Sequence, residues 1–144
     1  MLRIALASIF AAALSACSSM TTTAARSECF HTNEAIEKQI GYCEAVRVGD
    51  TLYISGNVGQ GDMPKAIAQA YNSLKRTLEA RGLRFENVVK ENVYATDLDA
   101  FIANKEVRRQ FYGTHTPAAT WVQVQRLYSP GFVVEVELIA VYPR

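Results

Sequence analysis

Glu135 and Glu137 are the side chains in this sequence best placed for chemistry, because carboxylates two positions apart on a strand point the same way. Val134, Val136 and Leu138 alternate with them through residues 132–142, so acids line one face and aliphatics the other. Like charges at that spacing need water or a counter-charge. Two outcomes stay open: a solvated face of a half-covered sheet, or a carboxylate held in a cleft, where it can orient a water or bind a polar ligand. Upstream, residues 120–127 read as another strand, with Ser129-Pro130-Gly131 as the turn between the two.

Other reactive residue types are sparse. His31 and His115 lie far apart and neither belongs to a ligand-spaced cluster, so no metal and no cofactor is expected. Cys29 and Cys43 could pair in an oxidising compartment, which sequence alone leaves undecided. Residues 57–63 form a glycine-rich stretch read as a loop; it lacks the lysine and Ser/Thr of a phosphate-binding loop.

The elements that must position these groups follow from periodicity. Residues 28–32 read as a short strand and 33–39 as a polar connection. Residues 42–48 and 51–56 form a hairpin about Gly49-Asp50. Residues 64–81 are the clearest helix, with Asp62 before it, Pro64 in its first turn and Gly82 after it. Its Ile67, Ala70, Tyr71, Leu74 and Leu78 form one apolar stripe. A strand over 88–95 and a helix over 100–112 complete the order, giving an α+β fold: a mixed sheet with two helices packed on one face.

Three stretches carry a family resemblance: Gly41-Tyr42-Cys43-Glu44-Ala45-Val46 with Val48-Gly49-Asp50 and Ser55-Gly56; Val88-Val89-Lys90 with Thr96-Asp97-Leu98 and Phe101; and Pro117-Ala118-Ala119-Thr120-Trp121-Val122-Gln123-Val124 with Val134-Glu135-Val136-Glu137-Leu138-Ile139-Ala140. From about residue 41 to the end the chain resembles the Rid family of imine/enamine deaminases, also called endoribonuclease L-PSP-like. The resemblance implies the chorismate-mutase-like Rid fold, a homotrimer, and small-molecule pockets between subunits. It also implies that Tyr42, Ala119, Thr120 and Trp121 line the pocket and that Glu135 positions the attacking water. Ala119 falls where the deaminases carry a carboxylate-clamping arginine, Lys105 where they carry an asparagine, and Trp121 where they carry a small residue or cysteine. A methyl group cannot match a carboxylate's two oxygens as a guanidinium does. Either an altered substrate range or ligand binding without turnover is therefore expected. Arg108, Arg109, Arg126 and Lys105 are the other cations considered, each read as a surface charge.

The first residues belong to something else. Arg3 and then an apolar run over 4–14 suit a secretory signal and are too short for a comfortable span of about 20 residues. Leu14-Ser15-Ala16-Cys17 resembles a bacterial lipobox, which implies a signal peptide over 1–16, lipidation at Cys17, a tether over 17–27 and a Rid-like domain over 28–144. The expected partners are a small molecule, further copies of this chain and a membrane through the Cys17 anchor, with the periplasmic face of the outer membrane as the expected location. Loss of residues 1–16 removes Arg3 from 15 basic residues and none of 14 acids, leaving 14 of each. That balance offers no basic excess to a phosphate backbone, and nucleic-acid binding is not expected.

Overall fold

A computed structural model describes residues 26–144; the signal, Cys17 and nearly all of the tether lie outside the described residues. In chain order the elements are β1 (Ser27–Phe30), α1 (Glu34–Ile40), β2 (Ala45–Val48), β3 (Thr51–Gln60), α2 (Met63–Ala80), β4 (Val88–Ala95), α3 (Leu98–Ala103), α4 (Lys105–Tyr112), β5 (Ala118–Gln123) and β6 (Phe132–Val141). The strands make one sheet in the order β1-β2-β3-β6-β4-β5. Only the β4–β5 pair is parallel, as its crossover through α3 and α4 requires. The two strands at the C-terminal end do not pair with each other, because β4 lies between them.

The apolar stripe of α2 explains the layering. Ile67, Ala70, Tyr71, Leu74 and Leu78 are all fully buried, against Leu52 and Ile54 of β3 and Val134, Val136, Leu138 and Ala140 of β6. Each large aliphatic buried this way contributes about 1.5–3 kcal/mol. The opposite sheet face has no such cover, and Tyr53, Val122 and Val141 stay exposed around it.

Four details differ from the sequence expectation. The polar connection over 33–39 is the helix α1: the Asn33 side chain caps it by accepting from Ile36 N–H, and Gly41 ends it at φ 94°, a conformation glycine adopts freely. The helix over 100–112 is two helices that meet at Asn104, whose side chain donates back to Ala100 O at 2.9 Å. β5 stops at Gln123 rather than 127. The glycine-rich stretch is not a loop; β3 runs through it to Gln60, because Gly59 lets α2 approach the strand closely. A Cβ at position 59 would meet Ala66 O at 1.9 Å. Gly59→Ala is therefore expected to lower unfolding free energy by about 3 kcal/mol, read from denaturant melts at unchanged m-value.

Candidate functional site

The site begins with a fault in the β3–β6 ladder. Ile54 pairs with Leu138 and Asn57 with Val136, so Ser55 and Gly56 together face a single residue, Glu137. This bulge returns Asn57 to the helix-covered side, where its Nδ2 donates to Glu44 Oε1 at 2.9 Å. Ser55 and Gly56 are left lining a cavity on the uncovered face. Tyr42, Tyr128, Phe132 and Glu135 share its wall with Ile40 and Val58, and its volume is about 460 Å³. Gly56 is needed there: a Cβ at that position would lie 1.9 Å from Glu135 Oε1.

The two strand acids have different fates. Glu137 Oε1 accepts from Asn92 Nδ2 at 2.6 Å and Tyr94 OH at 3.0 Å. Glu135 has no hydrogen-bond partner among the described residues and borders the cavity. Burial and the neighbouring Glu137 charge both push the Glu135 carboxyl above its ordinary range. A half-buried carboxylate with free lone pairs and a raised proton affinity can hold a water or take a proton from one.

Tyr42 and Glu135 thus share one cavity wall. The other pocket residues expected from sequence do not reach it in this chain: Ala119, Thr120 and Trp121 sit on the edge strand β5. Thr120 Oγ1 accepts from Lys90 Nζ at 2.6 Å. Trp121 turns to the helix-covered side, its ring 5.1 Å from Phe101 and its indole N–H 3.0 Å from Glu91 Oε1. Ala119 is exposed beside Glu91 in the ladder. Of the cations, Lys105 begins α4 and Arg109 is exposed, while exposed Arg126 borders an open groove that also touches Glu135 and Glu137.

Arg108 is not a surface charge. Its Nε–H donates to both oxygens of Glu91, at 2.7 and 3.0 Å, and Glu91 is fully buried. Tyr71 OH donates to the same carboxylate at 2.9 Å. Alternation groups Glu91 with Val89 and Val93; the bulge between Val88 and Lys90 instead puts Val88 on the covered side with Glu91 and Val93 and leaves Val89 exposed. Cys29 and Cys43 form a disulfide, with His31 beside them. These three residues gather within 4.8 Å of one another, but both sulfurs are spent in the bond and offer a metal no thiolate.

Two tests follow from these charges. Arg108→Met leaves a fully buried carboxylate without its cation and is expected to cost about 3–5 kcal/mol in equilibrium unfolding. For Glu135, a folded pKa above the unfolded 4.5 means that stability is lost as pH rises through the folded value. Glu135→Gln should therefore match wild type near about pH 4 and melt higher than wild type at neutral pH, a comparison made by thermal scans at both.

Comparison with known proteins agrees with this architecture. The family model described as endoribonuclease L-PSP matches residues 32–142. A RutC family protein of Pyrococcus horikoshii is 32% identical over 117 residues, covering 74% of this chain and 92% of the relative. The 2-iminobutanoate/2-iminopropanoate deaminase of Dermatophagoides farinae is 32% identical over 109 residues, covering 69% and 84%. A crystal structure of a YjgF/YER057c/UK114 family member from Mycobacterium tuberculosis superposes with a TM-score of 0.74 at 28% identity, covering 81% of this chain and 99% of that one. The fold, the matched span and these relatives agree, and the chain belongs to the Rid (YjgF/YER057c/UK114, endoribonuclease L-PSP) family.

Proposed function

We propose that the cavity lined by Tyr42 and Glu135 binds a small imine, enamine or related carbonyl-derived compound and hydrolyses it. The observation that carries this reading is the contrast between the two acids: Glu137 is bound by Asn92 and Tyr94, while Glu135 is left free beside a cavity. Water held by Glu135 adds to the imine carbon as the carboxylate takes its proton, and collapse of the adduct expels ammonia and leaves a carbonyl. The deaminase names of several relatives support the reaction class.

The substrate range is the part that changes. No guanidinium stands at position 119, and the preferred substrate lacks the carboxylate that such a group would clamp. Self-association completes the site: the cavity opens on the sheet face that no helix covers, where Tyr53, Val122 and Val141 are exposed, and a homotrimer built on that face would close it. Its partners are then a small molecule, two further copies and, through Cys17, a membrane, with the periplasmic face of the outer membrane as the proposed location. A second reading, a ligand-binding lipoprotein without turnover, is favoured by Ala119 itself.

The test follows decay of 2-iminopropanoate and of a neutral imine in wild type, Ala119→Arg, Arg126→Ala and Glu135→Ala. Wild type is expected to turn over the neutral imine and to lag on 2-iminopropanoate by a factor of roughly a thousand, the cost of an absent charged partner. In the proposed trimer, where the β5 edge of a neighbouring copy borders the cavity, Ala119→Arg should recover much of that gap, and Glu135→Ala should abolish both activities. Rapid wild-type turnover of 2-iminopropanoate, lost in Arg126→Ala, would identify Arg126 as a clamp and refute the altered range. Inertness of wild type toward both compounds would favour the binding reading.

A further inference from the structure

We propose that Cys29 and Cys43 form a thiol–disulfide exchange site for small thiols and dithiols, with His31 as its proton donor and Glu37 as the positioning residue behind the imidazole. The disulfide ties β1 to the segment just before β2, with Cα atoms 5.6 Å apart. Taken alone it is a staple for a terminal strand. What stands beside it is not needed for stapling.

His31 Nε2 lies 3.2 Å from Cys29 Sγ, and His31 Nδ1 lies 2.7 Å from Glu37 Oε2. Glu37 is itself fixed: Oε1 accepts the backbone N–H of Thr32 at 2.9 Å and of Asn33 at 2.6 Å, and Oε2 that of Glu44 at 3.1 Å. Burial pushes this carboxyl up, but those N–H groups and His31 outweigh it and hold Glu37 below its ordinary range. A carboxylate and a disulfide sulfur can only accept hydrogen bonds, so an imidazolium satisfies both contacts at once. The other charges near the ring are Glu34 on α1 and the Lys38 paired with it at 2.7 Å, both well exposed. Cys29 is exposed and Cys43 and His31 are partly so, which leaves the sulfurs within reach of a small thiol.

The step balances as an ordinary exchange. An incoming thiolate attacks Cys43 Sγ; a new S–S bond forms as the Cys29–Cys43 bond breaks, and the electron pair leaves on Cys29 Sγ. His31 Nε2–H then protonates or pairs that sulfur. When the reagent is a dithiol, its second thiolate displaces Cys43 from the mixed disulfide. The protein has then gained two electrons and two protons, and the reagent has become a cyclic disulfide. A nearby imidazolium lowers the pKa of the leaving thiol, and such thiols leave faster.

The experiment reduces the purified oxidised protein with dithiothreitol, traps free thiols over time, and divides each rate by the reagent's thiolate concentration. Wild type is compared with His31→Ala and with His31→Asn, whose amide keeps a donor toward Glu37. The normalised wild-type rate is expected to climb as pH falls, and both variants to be flat and about tenfold slower near pH 6. Equal rates in all three proteins would overturn the proposal and leave a staple. Loss in His31→Ala with full recovery in His31→Asn would overturn it too, since His31 would then act by packing rather than by its proton.

Discussion

The candidate site depends on one steric constraint: residue 56 has no Cβ, and the Glu135 carboxylate occupies the space that a side chain there would fill. The bulge at Ser55 and Gly56 and the glycine serve the same end. A regular ladder would place one of these two residues on the covered side and leave the other alone beside Glu135. The extra residue puts both against the cavity and still returns Asn57 to the side where Glu44 waits for it. Glu44 is buried, and burial raises its pKa; the Asn57 amide and the Thr77 hydroxyl at 2.8 Å act in the opposite direction. The fault in the ladder therefore shapes the cavity on one face and pairs a buried acid on the other.

Acids elsewhere show how this fold saturates the carboxylates that it buries. Glu91 receives a guanidinium, a phenol and an indole, and Glu37 receives three backbone N–H groups and an imidazole. Such saturation offsets the desolvation of a buried charge, and removing any one donor exposes that cost. Glu135 departs from the pattern. Its raised pKa is the energetic trace of a charge left without donors, and that is the state in which a carboxylate can still accept something from a ligand.

Much of the scaffold was legible because it rests on periodicity. The α2 stripe, the β6 alternation and the Gly49-Asp50 hairpin each announce an element whose buried side is set by simple spacing. Tyr42 and Glu135 were legible through family resemblance, which is read position by position. The misses have a common physical cause. The α1 helix has seven residues and no core stripe, and is defined by its Asn33 cap and Gly41 stop rather than by apolar spacing. Gly59 looks like loop punctuation until the approach of Ala66 is known. Glu91 shares its alternation face with Val93, but a bulge two residues earlier moves Val89 off that face, and its three partners lie 17 to 30 positions away. Bulges and long-range donors leave no periodic trace.

The same distinction bears on Ala119 and Trp121. Both lie on β5 toward the side where Glu91 is buried, and the indole of Trp121 is one of the donors that Glu91 uses. Arg108 is likewise committed through its Nε–H, and its guanidinium stacks within 4.5 Å of the Tyr112 ring and 5.3 Å of the Trp121 ring. A polar and aromatic cluster has thus been assembled beside the strand on which a clamping arginine would stand. Its strongest donors point inward, at a protein carboxylate. The edge strand of this chain is spent on holding α4 to the sheet, whereas the unpaired acid sits across β4 on β6. Within one chain, the wall around Glu135 carries the phenol of Tyr42 and the ring of Phe132. Those groups offer apolar area and neutral hydrogen bonds, which discriminate by shape and polarity rather than by charge.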